Sequence, residues 1–330
     1  MTKILFIGDL HGRMPRIHFK DFDYIVMVGD IASDKYLRPY YKKWFRLIKK
    51  VGKDVMNFSD FMDKEFEKGG YEKLSEKQMD IGREIMKKMN SYGVPVFVIP
   101  GNWDNSYGPT KIRNMDKNDY NYFRTWIDWW LGRRTNKKLV SGLENVYDLQ
   151  YGLYRDDFVN LIGYGNISGP ERFDRFKKRS KDYDYDDLQR KELMTISSEI
   201  PKRLNKLFFK RNRNVPTIFV SHNVPYGVLD TIVDKSNHAN GKHTGSMVAR
   251  DFCLKNKPEV CVGGHVHEHY AKKRLKDTVV VNAGFGSDAQ VLIDIKAGSK
   301  KKKVDGRNPK IKFEFVESLR KRYKKKYFRK

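Results

Sequence analysis

Five short polar pieces, each placed directly after an apolar run, constrain this chain more than any other feature. In order they are Gly8-Asp9-Leu10-His11-Gly12, Gly29-Asp30, Gly101-Asn102-Trp103-Asp104, Ser221-His222 and Gly263-Gly264-His265-Val266-His267. The runs before them are Ile4 to Ile7, Tyr24 to Val28, Val94 to Ile99, Thr217 to Val220 and Val260 to Val262. Short β-branched and aromatic runs ending at glycine read as buried strands. In open α/β sheets, functional groups gather on loops beyond the carboxyl ends of strands, so all five pieces are expected to face one cleft.

The residue types set the chemistry. Carboxylate and amide oxygens with imidazole nitrogens suit divalent ions such as Mn, Fe, Zn or Mg, whereas a soft thiolate site requires cysteine. Cys253 and Cys261, the only two cysteines, read as buried hydrophobes. Two cations roughly 3.5–4 Å apart need a bridging group and further ligands private to each. Asp30 is the natural bridge. A lone Gly-Asp or Ser-His at a strand end is ordinary turn chemistry. Five such pieces in register are not.

Together the pieces resemble the calcineurin-like metallophosphoesterase superfamily, spanning residues 9 to 267 in the expected order. The resemblance implies that Asp9, His11 and His267 hold one metal, that Asp30 is shared, and that Asn102, His222 and His265 hold the other. It implies an α/β fold, a four-layer αββα sandwich of two mixed sheets with helical insertions. The expected cofactors are two divalent ions, with Mn favoured. The expected activity is hydrolysis of a phosphorylated substrate by in-line attack of a metal-bridging hydroxide, most simply as a phosphodiesterase. A narrower likeness to a prokaryotic phosphoesterase subgroup lies in His222-Asn223-Val224-Pro225-Tyr226-Gly227, His243-Thr244-Gly245-Ser246 and Val281-Asn282-Ala283-Gly284. It puts His243 and Ser246 near the site, within reach of a substrate phosphate.

Two positions depart from the family pattern. Many members carry a proton-donating histidine directly after the motif Asn, where this chain has Trp103. An indole N–H cannot act as a general acid, so the proton comes from elsewhere, with His243 or a metal-bound water as candidates, or the leaving group needs little help. The catalytic candidates are therefore Asn102, His222 and His243. In Gly29-Asp30-Ile31-Ala32-Ser33-Asp34, the second Asp lies one residue beyond its usual place, so Asp34 is not expected to be a ligand. Asp104 is expected to orient one of the metal ligands, as carboxylates commonly do for metal-bound histidines. His18, His238 and His269 hold no motif position and read as surface residues.

The 330 residues suffice for one large α/β domain with insertions, here assigned to 1–298 and followed by a basic segment, 299–330. The insertions fall at about 35–90, 105–146 and 171–214. The first carries apolar residues at helical spacing (Trp44, Phe45, Leu47, Ile48, then Ile81, Ile85, Met89). The second places Tyr122, Phe123, Trp126, Trp129 and Trp130 on one helical face, a packing stripe or a cap with a stacking surface. The third mixes Asp182, Asp184, Asp186 and Asp187 with Lys177-Lys178-Arg179, as in solvated helices. No apolar run spans a membrane, no room is left for a secretory leader, and the cysteine count gives no disulfide framework, so the expected location is cytoplasmic.

Charge is the remaining strong signal. The net charge is +26, from 67 Lys or Arg against 41 Asp or Glu. Residues 300 to 330 hold 15 Lys or Arg against 3 acids, read as a basic hairpin loop, a last strand with Ile311, Phe313 and Phe315, and a basic tail from 320. Such a balance attracts polyanions. The tail is a candidate contact for nucleic-acid phosphates or an anionic membrane, against the plain alternative of a solvated tail. The rivals to a phosphodiesterase are a nuclease acting on DNA or RNA, and a silent scaffold. A broken ligand set would favour the scaffold reading, and none of the seven positions is broken.

Overall fold

The computed structural model describes residues 1–51, 58–66, 70–106, 134–135, 137–165, 171, 198–235, 239–296 and 310–327. Its strands are β1 (Thr2–Ile7), β2 (Tyr24–Met27), β3 (Val96–Val98), β4 (Asn105–Ser106), β5 (Arg134–Thr135), β6 (Val146–Asp148), β7 (Leu153–Arg155), β8 (Asn160–Tyr164), β9 (Thr217–Asn223), β10 (Val260–Gly264), β11 (Ala271–Leu275), β12 (Thr278–Asn282), β13 (Gln290–Lys296) and β14 (Lys310–Phe315). Two six-stranded sheets form, in the orders β14-β13-β1-β2-β3-β6 and β11-β12-β10-β9-β8-β7, beside a small β4-β5 ribbon. Both sheets are mixed: β1, β2, β3 and β6 run parallel, as do β8, β9, β10 and β12, while β13 pairs antiparallel with β1 and β14, β11 with β12, and β7 with β8.

The two-residue period of a strand explains the layering. In β1, β2 and β3, Ile4, Phe6, Val26 and Phe97 join residues of the second sheet in one core between the sheets. Their neighbours Leu5, Ile7, Ile25, Met27, Val96 and Val98 face the other way, against Met79, Ile85, Met86 and Met89 of the helix Gly70–Asn90. On the far side, Phe219 of β9 stacks 4.1 Å from Phe252 of the helix Met247–Asn256, which also meets Phe208 of the helix Ile200–Phe209. Helix, sheet, sheet, helix is the expected four-layer sandwich.

The first insertion holds the helices Arg38–Val51, Phe58–Glu65 and most of Gly70–Asn90. Leu37, Phe61 and Met62 form a satellite core there, and Trp103 packs against it. Most of the second insertion, including Tyr122, Phe123, Trp126, Trp129 and Trp130, lies outside the described residues. So do Lys177-Lys178-Arg179, the acidic cluster at 182–187, His238 and the loop at Lys300 to Lys303.

The C-terminal segment departs from the expected basic tail. After β14, residues Glu317–Tyr327 form a helix that buries Leu319 and Tyr323. The hydroxyl of Tyr323 accepts the N–H of Phe285 at 2.8 Å, and Tyr270 packs 5.5 Å from the Tyr323 ring. The apolar positions at i and i+4 fix the helix to the fold and turn its Lys and Arg outward. Among the described residues, no helix is long and apolar enough to cross a membrane.

Candidate metal centre

The carboxyl ends of β1, β2, β3, β9 and β10 carry the candidate ligands, His222 within β9 and the others on the loops that follow, and the fold brings them to one place. Ligand-type atoms of Asp9, His11, Asp30 and His267 lie within 4.8 Å of one another, as do those of Asp30, His222 and His265. Asp30 belongs to both groups. Asn102 joins the second, its Oδ1 lying 3.2 Å from His222 Nε2.

The backbone is bent sharply to achieve this. His11, Asp30 and His265 adopt left-handed conformations, with φ of 47°, 50° and 63°. Such strain in non-glycine residues costs of order 1–3 kcal/mol each and persists where surrounding structure holds it. Two glycines make room. A Cβ on Gly101 would sit 2.1 Å from Asp30 N and Oδ1, and one on Gly264 would sit 2.3 Å from Asp9 Oδ1. The carboxylates therefore rest against bare backbone.

Hydrogen bonds settle which atoms are offered to the cleft. His222 Nδ1 donates to the Val28 carbonyl at 2.8 Å, which leaves Nε2 with its lone pair. His11 Nδ1 lies 2.9 Å from Asp34 Oδ2, while its Nε2 lies 3.1 Å from His267 Nε2 and 3.2 Å from Asp30 Oδ2. Asp9 Oδ2 accepts the His265 N–H at 2.5 Å, and Asp9 Oδ1 is buried with no hydrogen-bond partner among the described residues.

Asp104 acts on the ligand loops through their backbone. Its carboxylate accepts the backbone N–H groups of Ile31 (2.9 Å), Ala32 (2.7 Å) and Gly101 (3.0 Å), the neighbours of Asp30 and Asn102. It ties the Asp30 loop to the Asn102 loop. The Trp103 N–H donates to Asp30 Oδ1 at 3.0 Å, completing that clamp.

The electrostatics are those of a crowded, dry cluster. Burial pushes the Asp9 carboxyl up to about 6, and burial with the neighbouring Asp30 pushes Asp104 up to about 6. Burial opposes ionisation of Asp30 as well, but the imidazoles of His222 and His11 outweigh it and hold Asp30 well below the usual range. Burial works against a charged His11, yet Asp30, Asp34 and Asp9 raise it to about 10. Burial and His222 lower His265 to about 4, and burial and His11 lower His267 well below its ordinary value. The raised Asp9 carboxyl with its orphaned oxygen, the ionised Asp30 and the His265 and His267 rings that resist protonation form a donor set that fits hard to borderline divalent cations.

His243 stands apart from both groups. It lies on the loop after β9, 44% exposed, with Nδ1 2.6 Å from Oδ1 of the buried Asp230. The neighbouring Thr244 carbonyl accepts from Asn223, the residue after His222, at 2.8 Å. Ser246 is not free to touch a phosphate. Its Oγ accepts from Ala249 N as the helix cap and donates to Glu171 Oε1 at 2.7 Å. His269 is buried, contrary to its surface reading, with Nε2 donating to Thr231 O at 2.8 Å. His18 does lie at the surface, bonded to Asp288.

Three contributors escape sequence reasoning. Asp34 touches His11 on the side away from His267. Phe285 stacks on His267 with centroids 4.0 Å apart and planes at 13°, and Asp9 bridges to it through the backbone. Arg38 lies beside Asp34 and Trp103. The four-residue spacing of Asp34 and Arg38 was a usable signal for their pairing. Phe285 had none.

The calcineurin-like phosphoesterase family model matches residues 2–269, and the chain belongs to that family. One solved structure aligns at a TM-score of 0.51 with 18% identity, covering 95% of this chain and 98% of its own. The phosphopantetheinyl hydrolase PptH of Mycobacterium tuberculosis aligns at 0.39 with 10% identity, over 86% of this chain and 89% of its own. The protein TT1561 of Thermus thermophilus aligns at 0.36 with 13% identity, over 87% and 91%. A search of curated proteins gives no significant match. As a member of this family the chain is a metal-dependent phosphoester hydrolase.

Proposed function

We propose that this chain is a two-metal phosphodiesterase in which Asp9, His11 and His267 hold one divalent ion, Asn102, His222 and His265 hold the other, and Asp30 bridges them. The observation that carries the reading is the membership of Asp30 in both ligand groups. Two cations held there lower the pKa of a shared water, neutralise the phosphoryl oxygens and orient the attack. Mn is the favoured ion for this mixed oxygen and imidazole set.

The chain's own groups do the rest. Val28 and Asp34 hold the His222 and His11 rings in place, so the ligands need little reorganisation on binding. Trp103 offers no acid. His243 is the proton donor we assign to the leaving oxygen. Buried Asp230 holds its Nδ1–H, which leaves Nε2 to deliver a proton and recover one from water. A less direct acid suits diesters with good leaving groups.

A second reading concerns the partner. The helix Glu317–Tyr327 turns Arg320, Lys321, Arg322, Lys324, Lys325 and Lys326 outward, and β11 adds Lys272, Lys273 and Arg274. Because Leu319 and Tyr323 are buried in the protein, the helix keeps little apolar face for a bilayer, which favours nucleic-acid phosphates over a membrane. A nuclease activity would then be the form the phosphodiesterase takes.

The test is Mn-dependent hydrolysis of bis(4-nitrophenyl) phosphate beside 4-nitrophenyl phosphate, with wild type, Asp30→Ala and His222→Ala. Diester turnover abolished in both variants supports the reading. No turnover of either ester by wild type with any divalent ion overturns it in favour of a scaffold.

A further inference from the structure

The helix Arg38–Val51 begins at the edge of the metal cluster, and its first residue is held there on two sides. The Arg38 backbone N–H donates to Asp34 O at 2.8 Å, and its guanidinium pairs closely with Asp34 Oδ2. That same Asp34 oxygen lies 2.9 Å from His11 Nδ1. The guanidinium carbon also sits 5.7 Å from the centroid of Trp103, whose ring is braced edge-on by Tyr41 at 5.2 Å. Carboxylate and indole thus fix the position of a cation one side chain away from His11.

That cation is not consumed by its partners. A guanidinium has five N–H donors, and among the described residues its acceptor is one oxygen of Asp34. The Arg38 side chain is 43% exposed while Asp34 is 12% exposed, so donors of the guanidinium remain open to solvent, and its charge is felt at His267 across the cluster. Planar guanidinium groups with unspent donors are suited to oxyanions. The helix gives the same sign, since its N-terminus carries partial positive charge and its first turn has no acid.

We propose that Arg38, seated on Asp34 and Trp103, is an anion subsite that binds a second oxyanion of the substrate, a phosphate or a carboxylate. The proposal rests on the phosphodiesterase reading of the adjacent cluster and adds a substrate class to it: phosphoesters that carry a second anionic group. The Trp103 ring serves as the floor under the arginine.

The experiment uses non-hydrolysable probes on the Mn-loaded full chain, so it does not depend on turnover. Calorimetry compares phenylphosphonate with 4-carboxyphenylphosphonate on wild type, Arg38→Gln and Arg38→Lys, and separately measures Mn binding to each. The expected result is about tenfold tighter binding of the carboxylated probe to wild type, a ratio near one in Arg38→Gln, and partial recovery in Arg38→Lys, with Mn binding unchanged throughout. Equal ratios in wild type and Arg38→Gln, or no binding of either probe to Mn-loaded wild type, overturn the subsite. Loss of Mn affinity in Arg38→Gln without a change in the probe ratio overturns it too, and makes Arg38 a support for Asp34 and His11. Failure of wild type to bind Mn at all would instead count against the metal-centre reading beneath it.

Discussion

His222 on β9 gives its Nδ1–H to the carbonyl of Val28, at the end of β2 in the other sheet. The contact joins the two halves of the sandwich at the cluster itself and selects the tautomer that leaves Nε2 available. It also makes the mutual position of the sheets a determinant of metal geometry.

Removing a ligand should therefore be severe. Loss of an outer partner alone typically costs 10–100-fold, so Asp30→Ala and His222→Ala should each lower Mn-dependent diester turnover by more than about 100-fold. Calorimetry should show Asp30→Ala weakening both ions, because Asp30 faces both groups, whereas His222→Ala should weaken one. Two intact Mn sites in Asp30→Ala would refute the bridge.

Asp34→Asn tests the support of His11. The carboxylate 2.9 Å from His11 Nδ1 raises the basicity of that ring and holds its orientation. Mn affinity should fall by about 10–100-fold while the far-UV spectrum stays unchanged. An unaltered affinity would leave Asp34 with no part in the site.

Gly101→Ala tests the bare-backbone rest of Asp30. With the added carbon 2.1 Å from Asp30 N and Oδ1, the loop must shift. The variant should lose about 1–3 kcal/mol in denaturant unfolding and most of its Mn binding. Wild-type stability with wild-type metal affinity would show that the loop yields freely.

Asp288 gives a pH signature away from the metal. Burial alone would raise its carboxyl, but Arg16 and His18 outweigh burial and hold it below the ordinary carboxylate value. The fold therefore favours the ionised form. Its stabilisation is complete above about pH 4 and is lost as pH falls through the lowered value. Asp288→Asn should cost about 1–2 kcal/mol at pH 7, with the gap to wild type closing as pH falls below the ordinary carboxylate range. A gap that persists unchanged at low pH would rule out the charge explanation.

Tyr323→Phe removes the acceptor of the Phe285 N–H. An unpartnered buried donor costs about 1–3 kcal/mol, and Phe285 stacks on His267, so the melting temperature and Mn affinity should fall together. A drop in melting temperature alone would show that the helix supports the fold but not the ring.

Much of this was legible beforehand. Apolar strand runs located Asp9, Asp30, Asn102, His222 and His265 at carboxyl ends of common direction, because parallel strands fix where those ends point. What the sequence left hidden depends on partners far along the chain. How Asp104 steadies its ligands shows only when Ile31, Ala32 and Gly101 are seen offering their N–H groups. His269 looks exposed until Thr231 covers it. The Lys and Arg run after 320 masked the Leu319 and Tyr323 pair, whose four-residue spacing was the helical signal.

Asp9 is bridged to Phe285, and Phe285 is held by Tyr323, so the earliest and latest parts of the described chain close on one another. A chain cut before residue 285 would still carry Asp9, His11 and Asp30, but not the ring against which His267 rests. Contacts of such long sequence separation carry a large loop-closure cost, so topologies built on them fold slowly. On the expected outcome for Tyr323→Phe, metal affinity becomes a report on the finished fold, reading whether the last helix has docked.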